Sequence, residues 1–139
     1  MKSSLSIYEI QLKLWKSSVY WPLNFRQIAS ELVTYCNQMS FTHVKMYGVL
    51  EHTDRWKYGY QVANYFVPSR FNGRCDDLKY NSIDRLHQNS IGVILDWIPT
   101  HFKHYHFFHQ YSMSLHEYDG TNLYASTASQ WGTLYFDFD

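Results

Sequence analysis

The stretch that most constrains the fold is "IGVILDWI", residues 91 to 98, an almost unbroken apolar run closed by Pro99. A strand with so few polar positions expects cover on both faces, the situation of a strand in a parallel sheet. Proline then removes a donor and stops further pairing. Upstream, "LSIYEIQL" (5–12) alternates apolar and polar residues and predicts a first strand. "FTHVKMYGVL" (41–50) predicts a second. Between them, Phe25, Ile28, Leu32, Cys36 and Met39 recur at three- and four-residue spacing, which sets them on one face of a helix over 24–39. Asn24 suits its N-cap, and Gln27 three positions later completes a capping-box pattern. A second helix is predicted over about 76–89, where Asp76 and Asp77 suit the positive end of the helix dipole. The order strand, helix, strand, helix, strand implies an α/β fold with a parallel sheet and right-handed crossovers. Residues 100–139 carry no helical period and are expected to form a loop-rich excursion with short extended pieces.

The 139 residues suffice for one modest domain, and they show no repeat or low-complexity linker. The formal charge is zero, so nothing electrostatic favours nucleic acid or an anionic membrane surface as partner. No run approaches the roughly 20 apolar residues of a membrane helix, and the N-terminus lacks the continuous apolar core of a signal peptide. Cys36 and Cys75 are too few for a disulfide framework, so a reducing cytoplasmic setting is expected. With 13 Tyr, 9 Phe and 5 Trp, the chain is rich in rings that could stack on sugars or simply fill the core.

The chemistry gathers after residue 95. Asp96 ends the apolar run and precedes His101 by five residues. In parallel α/β folds, polar residues at the C-terminal ends of strands act on ligands. An ionised Asp there needs a partner, because burying an unpaired charge is costly. His101, His104, His106 and His109 fit no zinc spacing, so no metal site is expected, and the last three read as solvated loop residues. Glu51, Asp54, Glu117 and Asp119 read as solvated loop carboxylates, with Glu51 as a structural contact.

These motifs together resemble the α-amylase superfamily, in the form of the bacterial 1,4-α-glucan branching enzymes. "GVILDWIPTHF" is similar to the first signature region, "SIYEIQLKLW" to the first barrel strand and "FTHVKMYGVLEH" to the second. "YGYQVANYFVPSRF" resembles the segment bearing a substrate-stacking tyrosine, and "YDGTNLY" with "QWGTLYFDF" the stretch after the third strand. The similarity runs from Ser6 onward. It implies a partial (β/α)8 barrel. Residues 1–105 would hold the first three strands and two helices, and 106–139 the excursion after strand 3.

As for the site, the resemblance implies that Tyr60 stacks on a sugar, His101 hydrogen-bonds it and Asp96 orients an arginine. Thr100 stands where calcium-binding relatives have an Asn ligand, so neither calcium nor any cofactor is implied. The implied partner is an α-1,4-glucan such as glycogen. The family cleaves α-1,4 bonds and transfers the chain to a 6-hydroxyl with retention, which requires two carboxyl groups about 5 Å apart. Its nucleophile and acid/base follow the fourth and fifth strands, so the resemblance assigns no catalytic residue here and the chain alone is expected to be inactive.

Several positions depart from the family pattern. Where "HVELLPV" is usual, Lys45 brings a charge change and Gly48 replaces a proline; Asn64 replaces a glycine. "DDLKYNSIDRL" carries one residue more than the family's second helix, which would rotate the following face by about 100°. Three strands of a barrel that needs eight leave open edges, a hazard for association. Marginal stability follows, or pairing with the rest of a barrel or another copy. Two further possibilities remain open: a non-catalytic α-glucan-binding module, and an interaction protein that docks through its barrel edges.

Overall fold

The computed structural model describes residues 4–16, 23–52, 54–55, 58–103 and 124–138. The chain divides into two compact units, 1–49 with 68–96 and 50–67 with 97–139.

The first unit is built on a parallel sheet. Strands β1 (Ile7–Gln11), β2 (His43–Tyr47) and β5 (Gly92–Leu95) lie in the order β1-β2-β5. The registers pair Ile10 with Met46 and Val44 with Val93. Helix α1 (Phe25–Met39) starts as its sequence requires: Asn24 Oδ1 accepts from Gln27 N and Gln27 Oε1 accepts from Asn24 N, each at 3.0 Å. It stops at Ser40 in the left-handed conformation. Its stripe of Phe25, Ile28, Leu32 and Cys36 is wholly buried against Ile10, Leu12, Val44 and Met46. At about 25 cal/mol per Å² of apolar surface removed from water, this packing is the chief stabilising term of the unit. Burial also pushes the Cys36 thiol pKa upward.

The second helical segment departs from an ideal α-helix. It runs as a π-helix over Asp77–Ile83 and continues as α2 (Asp84–Gln88). The Asp84 N–H donates to the Lys79 carbonyl five residues back. A π turn is the form in which a helix takes in one surplus residue. The predicted rotation of its face does not occur, and Leu78, Ser82 and Leu86 all stay buried. Ser82 Oγ donates to the Phe25 carbonyl at 2.7 Å. At the start of the segment, Arg26 pairs with Asp77, which also accepts from the Arg74 N–H at 3.2 Å.

Two predicted strands are shorter than their apolar runs. β2 ends at Tyr47 because Gly48 takes φ +70° and turns the chain. Leu50–His52 then forms β3, which pairs with β4 (Val62–Pro68) in a separate sheet. β5 stops at Leu95, and its expected cover on both faces is absent among the described residues: Val93 and Ile94 are half-buried and Leu95 is 42% exposed. Gly92 pairs in register with His43, and a Cβ there would collide with the imidazole, whose Nδ1 is held by Thr42 Oγ1 at 2.9 Å.

The second unit carries, besides β3 and most of β4, an antiparallel sheet. It comprises β6 (His101–Lys103), β7 (Ala125–Ala128) and β8 (Thr133–Phe136), ordered β6-β8-β7. The short extended pieces expected after residue 100 thus form a sheet, with a bulge in β7 between Ala125 and Ala128. Among the described residues its buried cluster is Phe102, Ala125 and Leu134, backed by Tyr65 and Phe136. The Tyr65 hydroxyl lies 2.8 Å from the carbonyls of both Ile98 and His101, so its one proton is shared between them. Burial raises the Tyr65 pKa, which keeps that proton in place. No helix among the described residues is long and apolar enough to cross a membrane.

Candidate functional site

The second unit gathers two of the three sequence-predicted site residues. His101 opens β6 opposite Tyr135 of β8, while Tyr60 lies in the turn leading into β4. His101 Nε2 is 3.0 Å from the Tyr60 carbonyl oxygen, and its Nδ1 is 2.7 Å from Thr100 Oγ1. A carbonyl can only accept, so Nε2 carries the proton, and in the neutral ring Nδ1 accepts from the threonine hydroxyl. Both nitrogens are therefore engaged. The imidazole holds the Tyr60 backbone, and the Tyr60 residue remains 48% exposed.

An open hollow of about 650 Å³ lies beside this pair, lined by Tyr60, Gln61, Thr100, His101, Trp131 and Tyr135, with the buried Thr133 below. The turn between β7 and β8 places Trp131. Gly132 adopts φ +70°, and Ser129 Oγ accepts the N–H groups of Trp131 at 3.2 Å and Thr133 at 3.3 Å. The Trp131 and Tyr135 rings meet edge-on at 6.5 Å. The lining has rings, hydroxyls, an amide and an imidazole and, among the described residues, no Asp, Glu, Lys or Arg. Gln61, Trp131 and Tyr135 were not singled out from the sequence. Their one signal is position: Gln61 follows Tyr60, and Trp131 precedes a turn glycine.

A second hollow of about 400 Å³ in the same unit is walled by Phe66, Trp97, Tyr124 and Phe138, all more than half exposed.

Asp96 belongs to the first unit, just past β5, where its N–H donates to the Met46 carbonyl at 3.0 Å. Its carboxylate has the partner it requires. Lys45 Nζ lies 3.7 Å from Asp96 Oδ1, 3.3 Å from Glu9 Oε1 and 2.8 Å from the Tyr47 hydroxyl. The hydrogen bond to Tyr47, with the neighbouring Glu9, holds the Lys45 pKa well above its ordinary value despite some burial. The charge at position 45, a departure from the family pattern, thus serves as a counter-ion for two carboxylates.

Among the described residues, no three His, Cys, Asp or Glu side chains converge as metal ligands would. His104, His106, His109, Glu117 and Asp119 lie outside the described residues.

No family model matches the chain. Individual proteins do. The 1,4-alpha-glucan branching enzyme of Chlamydia muridarum is 39% identical over 140 residues, covering 96% of this chain and 18% of that protein. The chain is homologous to part of the 1,4-alpha-glucan branching enzymes. The branching enzyme of Streptomyces coelicolor is 37% identical over 143 residues, covering 99% of this chain and 17% of its own length. This chain therefore spans less than a fifth of the branching enzymes it matches. Among solved structures, the α-amylase of Geobacillus thermoleovorans complexed with acarbose superposes with a TM-score of 0.72 at 15% identity, over 96% of this chain and 33% of the amylase. That likeness shows a shared α/β fold with a parallel sheet.

Proposed function

We propose that this chain supplies the first three β/α units of a branching-enzyme-type (β/α)8 barrel over residues 1–105, with the excursion after its third strand over 106–139, and that it binds an α-1,4-glucan. The parallel order β1-β2-β5 supports the barrel assignment, as do α1 and the π/α2 segment between the strands. The observation that carries the ligand assignment is the hollow shared by Tyr60 and His101. Its aromatic lining, uncharged among the described residues, suits the flat faces and hydroxyl rim of a pyranose. Tyr60 stacks on the sugar, and His101 contributes by holding the Tyr60 backbone through its Nε2 proton.

Retaining transfer needs a nucleophile and an acid/base carboxyl. No residue of this chain is assigned to either. Asp96 takes the place of the carboxylate that orients an arginine, with Lys45 as its present partner. The function of the chain itself is therefore glucan binding within a branching-enzyme assembly, in a cytoplasmic setting, with further barrel strands against its open sheet edges. Native electrophoresis through glycogen-containing gel tests this. The chain is expected to be retarded by glycogen, and Tyr60→Ala to migrate as in plain gel. Equal migration of the unmodified chain in both gels refutes the proposal.

A further inference from the structure

The hollow beside His101 contains an acceptor that no described residue answers. Gln61 lines it, and its amide oxygen Oε1 is buried with no hydrogen-bond partner among the described residues. Such a group is costly unless something donates to it. The other end of the amide, Nε2, reaches the Trp131 carbonyl at 3.4 Å, a long bond beside the usual range of about 2.7–3.2 Å. The terminal amide torsion of glutamine is soft, so a small turn brings Oε1 to a donor in the hollow. His101 differs in this respect, because both its ring nitrogens already have partners.

Trp131 adds the second observation. It is 61% exposed, yet its backbone is fixed by Ser129 Oγ and by the Gly132 turn. A large ring on a fixed backbone loses little conformational freedom when a ligand stacks on it. The described lining offers no formal charge to pair with a phosphorylated or carboxylated ligand, and its rings and amide suit a neutral one.

We infer that Gln61 and Trp131 select the ligand of this hollow, a neutral pyranose. Gln61 Oε1 accepts one of the sugar's hydroxyl protons, and the Trp131 indole offers a stacking surface in addition to Tyr60. His101 is a positioning residue that fixes Tyr60. This rests on the glucan proposal above and deepens it by assigning the residues that discriminate between sugars.

The test is equilibrium binding of maltotriose and its monodeoxy analogues to the purified chain, followed by NMR titration. Gln61→Leu is expected to weaken maltotriose roughly tenfold, the loss of one hydrogen bond to a buried group. One monodeoxy analogue should bind the unmodified chain about tenfold more weakly and lose nothing further on Gln61→Leu. Gln61→Glu keeps acceptor oxygens and should retain sensitivity to that hydroxyl, which preserves the test if the leucine variant does not fold. Trp131→Ala should weaken binding roughly tenfold, whereas His101→Gln should leave the pattern of monodeoxy losses unchanged. If Tyr60→Ala abolishes binding while Gln61→Leu and Trp131→Ala stay within about twofold of the unmodified chain, this inference alone is overturned. If the unmodified chain binds no maltotriose, the glucan proposal beneath it fails as well.

Discussion

The two units solve the problem of a small core in opposite ways. The first packs a long amphipathic helix onto a parallel sheet, and its buried cluster of aliphatic residues and one phenylalanine reaches from Ile10 to Ile91. Among the described residues, the second has a buried cluster of Phe102, Ala125 and Leu134, and several of its rings are exposed. Closely packed interiors hold a backbone in place, whereas partly exposed rings can take up a ligand. Under the glucan proposal, stability rests with the first unit and recognition with the second.

The most damaging change should be Leu32→Ala at the centre of α1. Leu32 has no exposed surface, and truncation there is expected to cost about 2–5 kcal/mol. Urea unfolding followed by far-ultraviolet circular dichroism reads the loss, since both helices described belong to this unit. A midpoint unchanged by Leu32→Ala would break the contrast between the units. Tyr65→Phe should have a smaller effect, about 1–2 kcal/mol, from leaving the Ile98 and His101 carbonyls without their shared proton. Because it loosens the strand that carries His101, it should also weaken glucan retardation, which Leu32→Ala should spare under conditions where that variant remains folded.

The smallest effect concerns pH. Hydrogen bonding from Arg26, and from the Arg74 N–H, holds the Asp77 carboxyl below its ordinary value of 3.8. A depressed carboxyl stabilises the fold above its unfolded pKa, and that contribution disappears as pH falls through the folded value. Asp77→Asn should therefore lower the urea midpoint slightly at neutral pH, and the gap should close well below pH 4. A gap that persists into strong acid would show that Arg26 and Asp77 contribute through packing.

Much of the first unit was legible because its signals are local. The spacing from Phe25 to Cys36, with Asn24 and Gln27, fixes α1 to within one residue of its observed start. The alternation of strand and helix gives the parallel order. Strand ends were less visible. Gly48 sits inside an otherwise continuous apolar pattern, and only its positive φ reveals that the chain leaves β2 there. The run at 91–98 looks fully buried, but periodicity cannot report what covers a strand, and Leu95 is left exposed. The π turn was hidden because helical spacing was judged at 3.6 residues per turn. In the second unit, Tyr60 and His101 came from resemblance to a family motif. Gln61 and Trp131 emerged only from three-dimensional placement, because an unanswered amide oxygen leaves no trace in residue order.

The contact between Gly92 and His43 couples two positions about a third of the chain apart. While an imidazole held by Thr42 occupies position 43, a Cβ at position 92 would force that ring to move. Change at 92 is thus conditional on 43: the ring must move aside, or give way to a smaller residue, before a side chain can take hold at 92. The pair acts as a ratchet on how this sheet can change over generations.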